Sequence, residues 1–269
     1  MKIVSLGTLK GGVGKTMLVF QLSAILSLLE KKILIMDMDT QGNISNVVGY
    51  DRTQDQNQDT TASIFYLNSR PDPTQLIVKA PNKALPNIDI IPSSILMHKA
   101  ESDIAVATAR ESYLQSYIET YPKVFNKYDY IFIDTNPSMS VINKNAFVVS
   151  DSILLTGDVS QNALEGAQLF IALWNDVRPL LKIQPNIKGY IINNIDDRQL
   201  ITKDGKNELF NTNDYEEIKD ILIDTQIPTN VSIRNAEKEH LPVIIYDKDS
   251  KGALAFRDLM NELIEKSIL

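Results

Sequence analysis

The apolar positions of the chain fall into short, unalternating runs separated by longer stretches with helical spacing. Ile3-Val4-Ser5-Leu6, Ile33-Leu34-Ile35-Met36, Asn87-Ile88-Asp89-Ile90-Ile91, and residues 128–134, 152–156 and 189–194 read as strands. Strands apolar at consecutive positions are covered on both faces, the condition of a parallel sheet clothed by helices. Residues 17–29, 105–121 and the stretch after 158 that runs through Trp174 to about Leu181 carry helical spacing. So does 254–268, whose Leu259, Met260, Leu263 and Ile264 fit one packed face. The pattern predicts an α/β fold, a mostly parallel twisted sheet flanked by helices, in a single domain over 1–269. Polar residues 51–63 predict a surface loop, and 196–216, with a turn signal at Asp204-Gly205, a surface excursion. Prolines 71, 73, 81 and 86 predict irregular chain before the third strand. His98 reads as a helix-end residue rather than a metal ligand, and Trp174 as core or interface packing.

Composition narrows this. The 269 residues are 43% hydrophobic, enough for one large core. With no cysteine, disulfides and cysteine-held clusters are excluded, and cytoplasmic placement is the expectation. No apolar run reaches the roughly 18 residues of a membrane span, and no basic-then-apolar leader precedes the first strand. A net charge of −7 excludes a chain that coats nucleic acid over its whole surface, so any DNA contact must come from a local patch.

The first strand runs into Leu9-Lys10-Gly11-Gly12-Val13-Gly14-Lys15-Thr16, and a helix follows at once. Glycines there let successive N–H groups converge on an anion at the positive end of the helix, and the ligand implied is a phosphate chain. Lys15 is placed for the β- and γ-phosphates, and the Thr16 hydroxyl for Mg²⁺. Lys10 is a second lysine at the loop's mouth, a cation available to a facing protomer. Asp37 and Asp39 follow the second strand and fall on one face at its carboxyl end, suited to metal, water or Lys15. Asp134 ends the strand 128–134, suited to orienting a Mg²⁺-bound water.

The run KGGVGKT resembles the deviant Walker A box of the ParA/Soj/MinD class of ATPases. Further resemblances are Asp37-Met38-Asp39-Thr40-Gln41-Gly42-Asn43 to D-x-D-P-Q-G-N, Thr135-Asn136-Pro137-Ser138 to a switch segment, and Gln161 to Gly166 to a helix entry. A block from Ile227 to Gly252 completes a likeness that covers nearly the whole chain. The resemblance implies a P-loop ATPase that uses ATP and Mg²⁺. Lys10, Lys15 and Asp39 would be catalytic, Lys10 reaching a partner's phosphates across a nucleotide-sandwich homodimer and Asp39 positioning water. Lys10, Gly11, Gly12, Val13, Gly14, Lys15, Thr16 and Met17 would hold the nucleotide, with Asn193, Asn194 and Pro228 at the base. Thr16, Asp37 and Asp134 would serve the metal. Met17 stands where the family usually has threonine, which predicts weaker nucleotide affinity.

For function the resemblance implies a ParA-type partition ATPase. It would bind DNA non-specifically in its ATP state, be nucleoid-associated, and work with a ParB-like centromere-binding partner. Arginines common in the family are replaced by Thr229 and Ser232, leaving Arg198, Arg234, Lys238 and Lys251 as the DNA-binding residues expected here, interleaved with acidic ones. A MinD-like membrane-cycling ATPase is the alternative. The segment 261–269 carries two glutamates against one lysine, which disfavours anionic lipid. The closeness of Met1 to the loop predicts no N-terminal helix-turn-helix domain.

Overall fold

A computed structural model describes residues 1–51, 59–67, 70–196 and 198–269. Its centre is a seven-stranded sheet made of β1 (Lys2–Gly7), β2 (Ile33–Asp37), β3 (Val78–Lys79), β4 (Ile88–Ile91), β5 (Tyr130–Asp134), β6 (Ser152–Gly157) and β7 (Ile187–Ile192). The order across the sheet is β3-β4-β2-β5-β1-β6-β7. All neighbours pair in parallel except the two-residue edge strand β3, which runs antiparallel to β4.

The predicted two-sided burial is met. Ile3, Leu34, Met36, Ile131 and Ile133 point into one core, and Val4, Leu6, Ile33, Ile35 and Phe132 into the other. Alternation along each strand sends consecutive apolar residues to opposite faces, and both faces are clothed. The helices that matter to the site are α1 (Lys15–Leu28), α2 (Asn43–Val47), α3 (Met97–Ile104), α4 (Tyr113–Thr120), α5 (Val141–Val149), α6 (Gln161–Val177), α7 (Leu200–Asn211), α8 (Val231–Lys238) and α9 (Lys251–Glu265). Trp174 is core packing: it is fully buried and donates through Nε1 to Asn186 Oδ1 at 2.8 Å.

Three expectations are corrected. Of the helix expected over 105–121 only the second half is α-helical: α4 begins at Tyr113, and α3 ends at Ile104, before the expected span opens. Ala109 between them takes a left-handed φ of 53°. Asn145 of α5 makes the break possible: its Nδ2 donates to the Arg110 carbonyl at 2.7 Å and its Oδ1 accepts from the Leu114 N–H at 3.0 Å. These are backbone groups a continuous helix would have satisfied itself. His98 is the second residue of α3, exposed, a helix-end position as expected.

The polar stretch 51–63 is only in part a surface loop. Residues 52–58 lie outside the described residues, but Thr61–Phe65 is a buried 3-10 turn whose Thr61 N–H donates to the Pro92 carbonyl at 2.9 Å. Most of the excursion 196–216 is the helix α7, and Gly205 is no turn. It sits mid-helix where a Cβ would overlap the Val159 carbonyl oxygen, so the residue answers to packing against the chain after β6.

Candidate functional site: a phosphate loop at the sheet's carboxyl edge

The carboxyl ends of the central strands carry the chemistry. Register places Leu6 of β1 and Asp37 of β2 on either side of Asp134 of β5, so the two carboxylates are lateral neighbours at the strand tips. Beyond β1 the chain turns through the loop 8–14, where Gly12 and Gly14 take φ of 74° and 91°, and enters α1 at Lys15. A cavity of about 450 Å³ opens here. It is lined by Gly11, Gly12, Val13, Gly14, Lys15, Thr16 and Met17, then Asp39, Gln41, Asn43, Pro137 and Asn194, and finally Ile233, Arg234 and Glu237 of α8.

Lys15 is 7% exposed, and burial pulls its ammonium pKa down against the raising effect of Asp134 and Asp39. A cation desolvated this far is held ready for an anion. Thr16 Oγ1 donates to Asp134 Oδ2 at 2.7 Å. Asp134 Oδ1 is buried with no partner among the described residues. Burial pushes this carboxyl up to about 7, opposed by Thr16 and Lys15. An orphaned carboxylate oxygen beside a threonine hydroxyl is a donor set that fits Mg²⁺.

Asp37 is placed differently from the expectation that it meets metal. It is fully buried; Oδ1 accepts from the Asp39 N–H at 3.1 Å, and Oδ2 accepts from Ser45 Oγ at 2.6 Å and Ser45 N–H at 3.2 Å. Its carboxyl is raised to about 8, by burial first and the neighbouring Asp134 second. Asp37 thus anchors α2 behind the cavity, while Asp39, half-buried, lines it and accepts from the Gln41 N–H at 2.9 Å.

Asn193 and Pro228 do not line the cavity, whereas Asn194 does. Asn193 is fully buried behind the loop, its amide turned to the Val13 carbonyl. Pro228 instead pairs with Ile195 in an isolated parallel bridge. Arg234, expected on a DNA surface, stands on the cavity wall one helical turn from Glu237. Arg198 remains on the surface but forks onto Asp196 at 2.8 and 2.9 Å. Lys238 and Lys251 are exposed.

Lys10 does not line its own loop's cavity. Its Nζ contacts Asp158 and Ser160, the residues between β6 and α6. The segment after Asp134 is fastened by a residue the sequence reading did not single out. Asn143 of α5 donates through Nδ2 to the Asn136 carbonyl at 2.9 Å and to the Ser138 carbonyl at 2.8 Å. An Asn one helical turn inside α5, after an N-capping Ser140, is the signal that marks it.

Fold, loop and metal-ready carboxylate together define a P-loop nucleotide-binding protein. Comparison with known proteins agrees. An AAA domain family matches residues 1–188. The chain is 30% identical to the sporulation initiation inhibitor protein Soj of Bacillus subtilis over 97% of its own length and 98% of that protein's. It is 28% identical to the chromosome partitioning protein ParA of Caulobacter vibrioides, covering 99% and 95% of the two chains. The crystal structure of a plasmid partition protein from Borrelia burgdorferi bound to AMPPNP superposes with a TM-score of 0.77 at 24% identity, over 98% of this chain and 99% of that one. The chain belongs to the ParA/Soj family of P-loop ATPases.

Proposed function

We propose that the protein is a nucleotide-switched ATPase of DNA partition: it binds ATP with Mg²⁺, pairs with a second copy over the nucleotides, and in that state holds DNA without sequence preference. The observation that carries the nucleotide part is the unpartnered Asp134 Oδ1 beside Thr16, at the mouth of a loop with a desolvated lysine. Thr16 and Asp134 would hold Mg²⁺, which when bound neutralises developing phosphate charge. Lys15 supplies positive charge to the β- and γ-phosphates, and the N–H groups of the loop orient the chain of phosphates. Asp39, which lines the cavity, orients the attacking water. Lys10 of each copy reaches the other's phosphates once it leaves Asp158.

Release would follow hydrolysis stimulated by a centromere-bound partner protein, in the cytoplasm at the nucleoid. The family relatives named Soj and ParA support this reading over a membrane-cycling one. So does the last helix, α9, whose Phe256, Leu259, Met260 and Leu263 are buried in the core rather than free for lipid. Among the described residues no helix is long and apolar enough to cross a membrane.

The test is sedimentation of the protein with no nucleotide, ADP–Mg²⁺, ATP–Mg²⁺ and ATP with EDTA, beside measured phosphate release. Dimers with ATP–Mg²⁺ alone, and slow turnover, are expected. A species that ignores the nucleotide in all four conditions overturns the proposal.

A further inference from the structure

Asn193 follows β7 directly, and its backbone N–H donates to the Gly157 carbonyl at 2.8 Å, which fixes it to the end of β6. Its side chain is 0% exposed and is not part of the cavity lining, with Nδ2 donating to the Val13 carbonyl at 2.7 Å. Its Oδ1 has no partner among the described residues. A buried oxygen left unsatisfied costs stability, so this amide does not earn its place as core filling.

What it does to the loop follows from peptide geometry. In a planar trans peptide the carbonyl of Val13 and the N–H of Gly14 point in opposite directions. With the carbonyl drawn back onto Asn193, the Gly14 N–H is aimed into the cavity that Gly14 lines. The same contact explains why position 14 must be glycine: its φ is 91°, and a Cβ there would overlap Asn193 Nδ2.

We propose that Asn193 is a positioning residue of the phosphate loop, setting the Val13–Gly14 peptide for a phosphate before any nucleotide arrives, and that it does not read the base. This rests on the nucleotide-binding reading above. It assigns to an inward amide a role that nothing on the cavity surface reveals. Base contact falls instead to the cavity-lining Asn194.

The experiment is displacement of a fluorescent ADP analogue by Mg²⁺–pyrophosphate, Mg²⁺–ADP and Mg²⁺–GDP from wild type, Asn193→Ala, Asn193→Ser and Asn194→Ala, with unfolding midpoints measured alongside. For both Asn193 variants, pyrophosphate and ADP are expected to weaken together, by roughly tenfold. Their ADP-to-GDP preference stays at the wild-type ratio. Asn194→Ala changes that ratio and leaves pyrophosphate unaffected. The inference is overturned if the Asn193 variants bind pyrophosphate as wild type does, whether they lower the ADP-to-GDP ratio, as a base reader would, or only the unfolding midpoint, as a packing residue would. Failure of the wild type itself to bind the analogue would instead remove the nucleotide reading, and this inference with it.

Discussion

Lys10 Nζ lies 3.1 Å from Asp158 Oδ2, in the same protomer, and 3.0 Å from Ser160 Oγ. The two charged side chains are 35% and 37% exposed, so solvent screens the pair and its worth is at most about 1 kcal/mol. On the proposed function, in which Lys10 reaches a partner's phosphates, this is a clasp weak enough to open when a better anion arrives. Lys10→Ala should keep nucleotide binding and lose hydrolysis by tenfold or more, the mark of a charge supplied in trans. Asp158→Ala should shift ATP-dependent dimerisation to lower protein concentration by up to about fivefold. Phosphate release and sedimentation read the two effects, and unchanged turnover in Lys10→Ala would remove the trans role.

Asp39 lines the cavity within electrostatic reach of Lys15, whereas Asp37 is enclosed by Ser45 and backbone N–H groups. The two aspartates should therefore part company on mutation. Asp39→Ala should bind ATP normally, turn over about 10²-fold more slowly, and persist as a dimer. Asp37→Ala should lose stability, by about 1–3 kcal/mol, because α2 is released and buried donors are left unmet. Sizing with ATP over hours and chemical denaturation separate them; equal stability loss in both variants contradicts the assignment.

Asp134 and Asp37 are raised to about 7 and about 8, burial being the largest cause in both. In the unfolded chain both ionise near 3.8. Between those values the folded protein holds protons the unfolded chain has released, so stability falls as pH rises through that window and is fully retained only below it. In EDTA and without nucleotide, the unfolding midpoint should drop between about pH 5.5 and about pH 8, and Asp134→Asn should flatten the drop. A wild-type midpoint that climbs over this range contradicts the raised carboxyls.

Two helical glycines give opposite expectations. Gly166 of α6 has nothing within 4 Å of a built Cβ, so Gly166→Ala should stabilise by about 0.5–1 kcal/mol. Gly205 of α7 meets the Val159 carbonyl, so Gly205→Ala should destabilise by about 1–3 kcal/mol despite the better helix propensity. Denaturant midpoints check both, and a stabilising Gly205→Ala would deny that α7 is seated there.

The sheet, the loop and the strand-end aspartates were legible because each has a local signature: unalternating apolar runs, glycines between strand and helix, a carboxylate at a strand tip. What escaped is set by tertiary contact. Asp204-Gly205 reads locally as a turn, yet Gly205 is there to let α7 approach Val159. Residues 105–109 read as helix, yet Asn145, forty residues on, takes over their neighbours' hydrogen bonds. Asn193 and Asn194 are indistinguishable in sequence, and only the fold turns one inward and leaves the other on the cavity. Arg234 is exposed, as its charge leads one to expect, but only the fold shows that one turn into α8 it also lines the cavity.

The most direct test of the account is binding of random-sequence duplex DNA without nucleotide, with ADP–Mg²⁺ and with ATP–Mg²⁺, each across a salt series. The account predicts binding in the ATP state alone, falling steeply with salt as phosphate contacts require, through exposed cations such as Lys238 and Lys251. Binding that is absent with ATP, or equal in all three states, would contradict it.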